Sequence, residues 1–404
     1  MSEFINNSKQ RQEKLKELIK SLHDGKTIDE VKVEFEKHFG NVSTSEISEI
    51  EQALIKEGLP VEEVQRLCDV HASVFKGSIA DIHTSKDYSK ILGHPVNILV
   101  EENKAIEVLI DEEIMPYFNE FIKKPNPTAI LMLRIGFEKL WEIDHHYSRK
   151  EYAFFPYLEK HGITAPPKVM WGVDDEIRRD IKLVNTLLSQ PKFDENQLKE
   201  TIESVLNQVK EMIFKENNIL IPLMAETLSF YDWIKIDEAS VEFGYTLIKP
   251  KQSWKVQSNE ELPEEENVFD GIVNFDAGHL TPKEINAIFN SLPIDLTFVD
   301  VNNKVKYFSQ AKERIFTRPK SIIGRDVSLC HPPASVGVVE KIVESFRTGK
   351  KDHEDFWIQT GKMFVYIRYF AVRSSDGEYL GTLEVTQNIK PITELTGEKR
   401  LLDE

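Results

Sequence analysis

The hydrophobic period changes once along this chain, and the change divides it into two fold classes. From residue 94 to residue 238 apolar residues recur at three- and four-residue spacing, as on amphipathic helices. Helices are expected over 94–123, 129–160, 174–189 and 196–228, with the Pro-rich stretches "KKPNPT" and "HGITAPPK" as breaks. Four such helices with short connections pack most simply as an antiparallel bundle. After residue 282 the pattern becomes mixed. "IDLTFVDVNNKVKYFS" reads as strand, Asn-Asn turn, strand, and "HEDFWIQTGKMFVYIRYFAVRSSDGEYLGTLEVTQNI" as three alternating strands with turns at Thr360-Gly361 and Ser375-Asp376-Gly377.

The rest of the chain is consistent with that division. Residues 1–85 read as a small helical domain, with Leu15, Leu18, Ile19 and Leu22 on one stripe and Gly25 as its stop. The bundle is assigned to 86–245, a polar and acidic linker with room for a strand pair to 246–282, and a compact α+β domain to 283–395. The expected fold class is therefore multidomain: an all-α N-terminal region and a four-helix bundle, then an α+β domain.

Charge narrows the partners. A formal net charge of -17 over 404 residues opposes binding to nucleic acid or to an anionic membrane surface. The opening "MSEFINNSKQRQEKLKEL" lacks the apolar core of a signal peptide, and Cys68 and Cys330 are too few and too far apart for a disulfide framework. A cytoplasmic location is expected.

The bundle helices carry donors suited to a carboxylate–histidine metal site. They are His94 on the first, Glu142, His145, His146 and Glu151 on the second, Asp174, Asp175 and Glu176 on the third, and Glu216 on the fourth. Glu142 and His146 are four apart and share a face, whereas His146 and Glu151 are five apart, roughly 140° round a helix. Taken singly, each of these residues is as readily a solvated or satisfied polar group.

"GHPVNILVEEN", "HHYSRKEYAFFPYLEKHG" and "MIFKENNILIPLMAETL" resemble the helices of the hemerythrin-like (HHE cation-binding) family. In that family a His stands about ten residues before a Pro and a Glu five or six before it. Counted from Pro156, the resemblance selects His146 and Glu151; counted from Pro222, it finds Glu216, with Met212 where a second His belongs. His94 falls at the ligand position of the first helix, and Asp174 and Asp175 stand where the third helix of the family has a His. The resemblance thus implies non-haem iron, mono- or dinuclear, at His94, His146, Glu151, Asp174, Glu176 and Glu216. The departures leave a manganese site or a scaffold that has lost its metal open, and they argue against dioxygen carriage.

Two further resemblances flank the bundle. "LIKSLHDGKTIDEVKVEF" and "VSTSEISEIEQALIKEGLPVEEVQRLCDVHASVFKGSI" are similar to the domain-of-unknown-function family 438, and "CDVH" places Cys68 and His71 on one helical face. "SLPIDLTFVDVNNKVKYFS", "IIGRDVSLCHPP" and the closing strands resemble a PAS domain, a fold that cradles a small ligand or none and that dimerises. Cys330 and His331 are the polar pair there that could touch haem or another cofactor. Together the resemblances imply a cytoplasmic sensor or signalling protein. Its bundle would bind iron or react with dioxygen, nitric oxide or peroxide, and its PAS domain would form a homodimer and pass the state to a protein partner. A non-haem iron enzyme disposing of peroxide or nitric oxide, or repairing iron–sulfur centres, is the alternative from the enzyme class. A metal-free interaction scaffold is the third.

Overall fold

A computed structural model describes residues 88–250, 254, 271–312 and 314–398, with scattered residues between 13 and 31 and residue 58. In the N-terminal region Leu18 is helical and buried, while Cys68 and His71 lie outside the described residues. The chain separates into two compact units, most of them on either side of the Val256–Gln257 junction.

The first unit is all-helical. Helix α1 (Pro95–Val108) starts where His94 adopts an extended conformation and its imidazole accepts the Val96 amide, with Pro95 filling a first-turn position that needs no N–H. A π turn (Leu109–Ile114) joins it to α2 (Met115–Lys123). Asn126 caps α3 (Pro127–Leu140), and a turn at Trp141–Glu142 separates α3 from α4 (Ile143–Arg149). A second π turn (Lys150–Phe154) leads into α5 (Phe155–Lys160).

Helix α6 spans Ala165–Ser189, so the third rod begins well before the expected residue 174. Pro166 and Pro167 read as a break, but in the first turn a proline loses no helical hydrogen bond. Asp194 caps α7 (Glu195–Lys215), a third π turn (Glu216–Leu220) follows, then α8 (Ile221–Thr227) and α9 (Phe230–Ser240), the last opened by a reciprocal capping box between Ser229 and Asp232. One apolar core unites these helices, including Leu99, Ile106, Phe137, Phe154, Ile177, Val209 and Trp233.

The π turns share a cause. Each precedes a proline: Pro116, Pro156 and Pro222. The residue before each proline donates its amide five residues back, Met115 to Ile110, Phe155 to Lys150 and Ile221 to Glu216. Proline has no N–H and its ring would strike the carbonyl four residues back, and one extra residue in the turn moves that carbonyl aside. Lys150 and Glu216 therefore occupy equivalent positions in two of the rods, and so do His146 and Met212, four residues earlier.

The second unit is α+β. A short hairpin, β1 (Val273–Phe275) and β2 (Gly278–Leu280), lies within the stretch read as linker. Helix α10 (Pro282–Ser291) follows, capped by Thr281 and Glu284. The main sheet contains β3 (Asp295–Asp300), β4 (Val305–Phe308), β5 (His353–Thr360), β6 (Met363–Arg373) and β7 (Tyr379–Asn388) in the antiparallel order β4-β3-β7-β6-β5. Helix α11 (Pro333–Arg347) precedes β5. At the Asn302-Asn303 turn, Asn303 takes φ 62°, and the Asp300 carboxylate accepts the amides of Asn302 and Lys304. Val299, Val305, Phe308, Ile322 and Cys330 form the core behind this corner. Among the described residues no helix is long and apolar enough to cross a membrane.

Candidate functional site: a buried charge network in the bundle

Glu102, His146, Arg149, Lys150, Glu151, Asp174 and Glu216 are all buried at the centre of the bundle. His146, on α4, is held at both ring nitrogens. Nδ1 lies 2.8 Å from Glu102 Oε2 and Nε2 lies 3.0 Å from Glu216 Oε2. Burial alone would lower its pKa, but the Glu216 and Glu102 carboxylates outweigh burial and hold it above the ordinary value. An imidazole facing two carboxylates through two N–H groups is an imidazolium.

Lys150, at the head of the second π turn, points inward. Its Nζ donates to Asp174 Oδ1 at 2.9 Å and to Glu216 Oε1, and lies 4.4 Å from the centre of the Tyr147 ring. Burial opposes its charge, yet Asp174 and Glu216 raise its pKa further. The Arg149 guanidinium donates to Glu102 Oε2 and, at 2.7 Å, to the carbonyl of Gly244. Three carboxylates, Glu102, Asp174 and Glu216, thus face three cations, His146, Arg149 and Lys150. Beside them Arg178 grips Glu151 with two parallel bonds of 2.6 and 3.1 Å and also reaches Asp144 at 2.7 Å and Asp175 at 3.1 Å.

A strap seals this network. After α9 the chain crosses over α4, and its backbone bonds directly to the charged groups. The Phe243 carbonyl lies 2.8 Å from His145 Nδ1, and the Thr246 amide donates to Glu102 Oε1 at 2.7 Å. Thr246 Oγ1 accepts the His146 amide at 3.1 Å and donates to the Glu142 carbonyl at 2.7 Å, and the Leu247 amide reaches Glu142 Oε2 at 3.2 Å. Two left-handed residues give the strap its path, Gly244 at φ 77° and Leu247 at φ 58°. For a leucine that conformation is strained, and it persists only where neighbouring bonds fix it.

The residues expected to hold metal are distributed as follows. His146, Asp174 and Glu216 are brought together, but around Lys150. Glu151 turns to Arg178, as its five-residue offset from His146 requires. Glu176 is partly exposed on α6, in the field of Arg179. His94 is buried elsewhere, stacked on Tyr88 at 4.6 Å and boxed by Trp233 at 4.9 Å and Trp254 at 4.5 Å. Its Nδ1 lone pair is used by the Val96 amide, and burial lowers its pKa to about 4.

This set does not fit a metal ion. Among the described residues no group of three or more His, Cys, Asp or Glu side chains is placed to hold one. The nitrogens of His146 both carry protons toward carboxylates, and the space between Asp174 and Glu216 holds an ammonium. One oxygen at the centre, Asp174 Oδ2, is buried without a hydrogen-bond partner. With the Tyr147 hydroxyl, also buried without a partner beside these charges, it suits a water molecule better than a cation needing several ligands.

In the second unit Cys330 belongs to the apolar core, its Sγ 3.5 Å from the Asp326 carbonyl, so it packs as a small hydrophobe. His331 is partly buried, and burial lowers its pKa. On the sheet face Thr297 pairs across strands with Glu384, and Asp295 with Thr386. Arg318 reaches Glu384 at 2.8 Å, while Thr297 Oγ1 is buried without a partner.

Three groups of the network contribute to the pH dependence. Burial would raise the Glu216 carboxyl, but the Lys150 and His146 charges outweigh it and leave it at about 2, below its ordinary 4.5, so its contribution is lost as pH falls from 4.5 toward 2. Burial, only partly offset by Lys150, raises Asp174 from 3.8 to about 6, so stability falls as pH rises through that window. His146 adds stability that is complete below 6.5 and is lost as pH rises through its raised folded value. His94, lowered to about 4 by burial, acts in the opposite sense, so between pH 4 and 6 the loss from Asp174 runs against a gain from His94. Denaturation midpoints followed by tryptophan fluorescence across this range test it. Asp174→Asn should remove the Asp174 contribution and so raise stability at pH 6 relative to pH 4, and an unaltered profile in that variant would contradict the assignment.

Comparison with known proteins agrees with the geometry of both units. Residues 94–224 match the hemerythrin HHE cation binding domain family, residues 285–390 a PAS domain family, and residues 15–81 a family of unknown function, DUF438. No curated protein matches the chain. Among solved structures, a C-terminal domain from Streptococcus mutans is 37% identical over 31% of this chain and 98% of its own, with a TM-score of 0.30. The PAS domain of a Colwellia psychrerythraea protein is 14% identical over 27% of this chain and 97% of its own, TM-score 0.23. A sensory box sensor histidine kinase from Vibrio cholerae is 10% identical over 26% and 89%, TM-score 0.20. The chain thus carries, in order, a DUF438 segment, a hemerythrin HHE-type helical bundle and a PAS domain, the makeup of a sensor or signalling protein.

Proposed function

We propose that this is a cytoplasmic signalling protein in which the bundle and the PAS module exchange information through the strap at residues 243–247. The observation that carries this reading is the bonding of that strap to the buried network. Glu102 holds the Thr246 amide with one carboxylate oxygen and His146 and Arg149 with the other. The strap is also the segment from which the chain leaves the bundle toward residue 271, where the second unit is next described. An event that shifts the network charges reaches the strap through the Glu102 bond to the Thr246 amide, beside Leu247 at its strained φ of 58°.

The test uses the full chain. In Glu102→Gln the amides of Thr246 and Leu247 should exchange with deuterium at least about tenfold faster, which corresponds to loss of roughly 1.4 kcal/mol of local protection. Exchange within 271–398 should change with it. A loosened strap with an unchanged PAS module would refute the relay.

The reading includes a PAS-mediated homodimer. Among the described residues β5 is an edge strand, and it exposes Phe356 at 36%, Trp357 at 64% and Ile358 at 40%, an apolar run unusual for an edge. Trp357→Arg should convert the dimer to monomer in sedimentation at micromolar concentration. A variant that sediments as wild type would move the contact elsewhere.

The second reading is the non-haem iron sensor, with iron in the bundle reacting with dioxygen, nitric oxide or peroxide. It is supported by the family match over 94–224. Stoichiometric iron in protein purified without tag or chelator would favour it over a metal-free relay.

A further inference from the structure

The π turns make two positions in the bundle equivalent, six residues before Pro156 and six before Pro222, and the chain fills them with opposite charges, Lys150 and Glu216. The positions four residues earlier hold His146 and Met212, both fully buried. A site with this frame would have two His and two carboxylates if both rods read alike. Here one rod keeps the imidazole and replaces the carboxylate by an ammonium, and the other keeps the carboxylate and replaces the imidazole by a thioether. The ammonium does not swing out to solvent. Nζ sits between Asp174 and Glu216, completely buried. An ion in that place has the charge sign and the two carboxylate contacts of a bound cation, with a covalent tether added.

We propose that Lys150 is a resident cation of this bundle, taking by covalent attachment the place a dissociable metal ion would take between Asp174 and Glu216. This goes beyond the relay and does not depend on it. The bundle then keeps its charge balance with no metal supply, and the cation cannot be lost by chelation or exchanged for another metal. Sensitivity to metal is removed by one residue, and one residue should restore it.

Met212 makes the same point. A thioether in the fully buried position equivalent to His146 is a poor ligand for hard or borderline ions, but it fills an apolar gap well. The pair Lys150 and Met212 is therefore self-consistent, with the cation supplied on one rod and the unneeded ligand replaced by packing on the other.

The test is metal rescue, read by thermal unfolding under anaerobic conditions with Fe(II) and separately with Zn(II). Wild type, Lys150→Met and the double variant Lys150→Glu, Met212→His are compared at micromolar metal. Wild type should be unmoved. Lys150→Met should unfold at lower temperature and recover at least about 5 °C with metal, because Glu102, His146, Asp174 and Glu216 are left with a cation-sized deficit. The double variant should recover more and should retain metal through desalting. If it is unfolded without metal and folds with it, the proposal is equally supported. Metal that stabilises wild type as much as Lys150→Met overturns the proposal, and so does a folded Lys150→Met that no metal stabilises.

Discussion

Replacing Lys150 by methionine is expected to destabilise the bundle by about 3–5 kcal/mol at neutral pH, the range for removing one partner from a buried ion pair. The side-chain volume is nearly kept, so the loss is electrostatic. Asp174 and Glu216 are left facing each other without the ammonium that both contact. The defect should shrink on acidification, because protonating Asp174, whose pKa burial already lifts to about 6, removes one of the two charges. Chemical denaturation of the full chain at pH near 7 and near 5 measures both effects. Adding Asp174→Asn to Lys150→Met should recover part of the loss, as expected for coupled groups rather than for lost packing. A Lys150→Met variant with wild-type stability would mean that Lys150 is not the central cation.

The second large effect falls in the PAS unit. Gly381, in β7, pairs with Asp300 at the end of β3 and takes φ 150°. A Cβ built there would stand 2.2 Å from the Val299 carbonyl oxygen and 2.8 Å from the Phe298 ring. Neither the strand backbone nor the ring beside it can withdraw without opening the β3–β7 ladder. Gly381→Ala is therefore expected to cost about 3 kcal/mol or more through overpacking and backbone strain. The loss should appear in the sheet's unfolding transition by circular dichroism, with the helical signal of the bundle retained. Melting of both signals together would show that the two units unfold as one.

The fold was legible in the sequence where period and turn chemistry agreed. The helical stripe of the bundle, the Asn302-Asn303 turn and the β5–β6–β7 meander all follow from local rules. The early start of α6 was not legible, because a proline pair serves equally as a break or as a first turn. In the site, the resemblance to the HHE family, counted back from proline, points to His146, Glu151 and Glu216, and the five-residue offset from His146 turns Glu151 to another face. Glu102 carries a weaker signal. It lies on the Leu99–Ile106 stripe, where a carboxylate interrupts an otherwise apolar face and must find partners inside. Lys150 is four residues from His146 and so shares its face, but a lysine next to a glutamate reads as solvated. Only the π turn, which aligns Lys150 with Glu216, shows that it points inward. Thr246 left no local trace. Its role comes from contacts with residues 142, 146 and 102, far away along the chain.

The network also explains why an HHE-type frame can persist here with altered donors. Glu102, His146, Arg149, Lys150, Asp174 and Glu216 each have an opposite charge at hydrogen-bond distance, so apart from Asp174 Oδ2 these charges are satisfied by one another. What varies is the source of the positive charge.

The most direct measurement is the intact mass of the native wild-type chain after anaerobic incubation with excess Fe(II) and removal of unbound metal. The mass of the polypeptide alone, under conditions where Lys150→Glu, Met212→His carries added iron, is the expected result. Stoichiometric iron retained by the wild type would contradict the resident-cation account and return the bundle to metal chemistry.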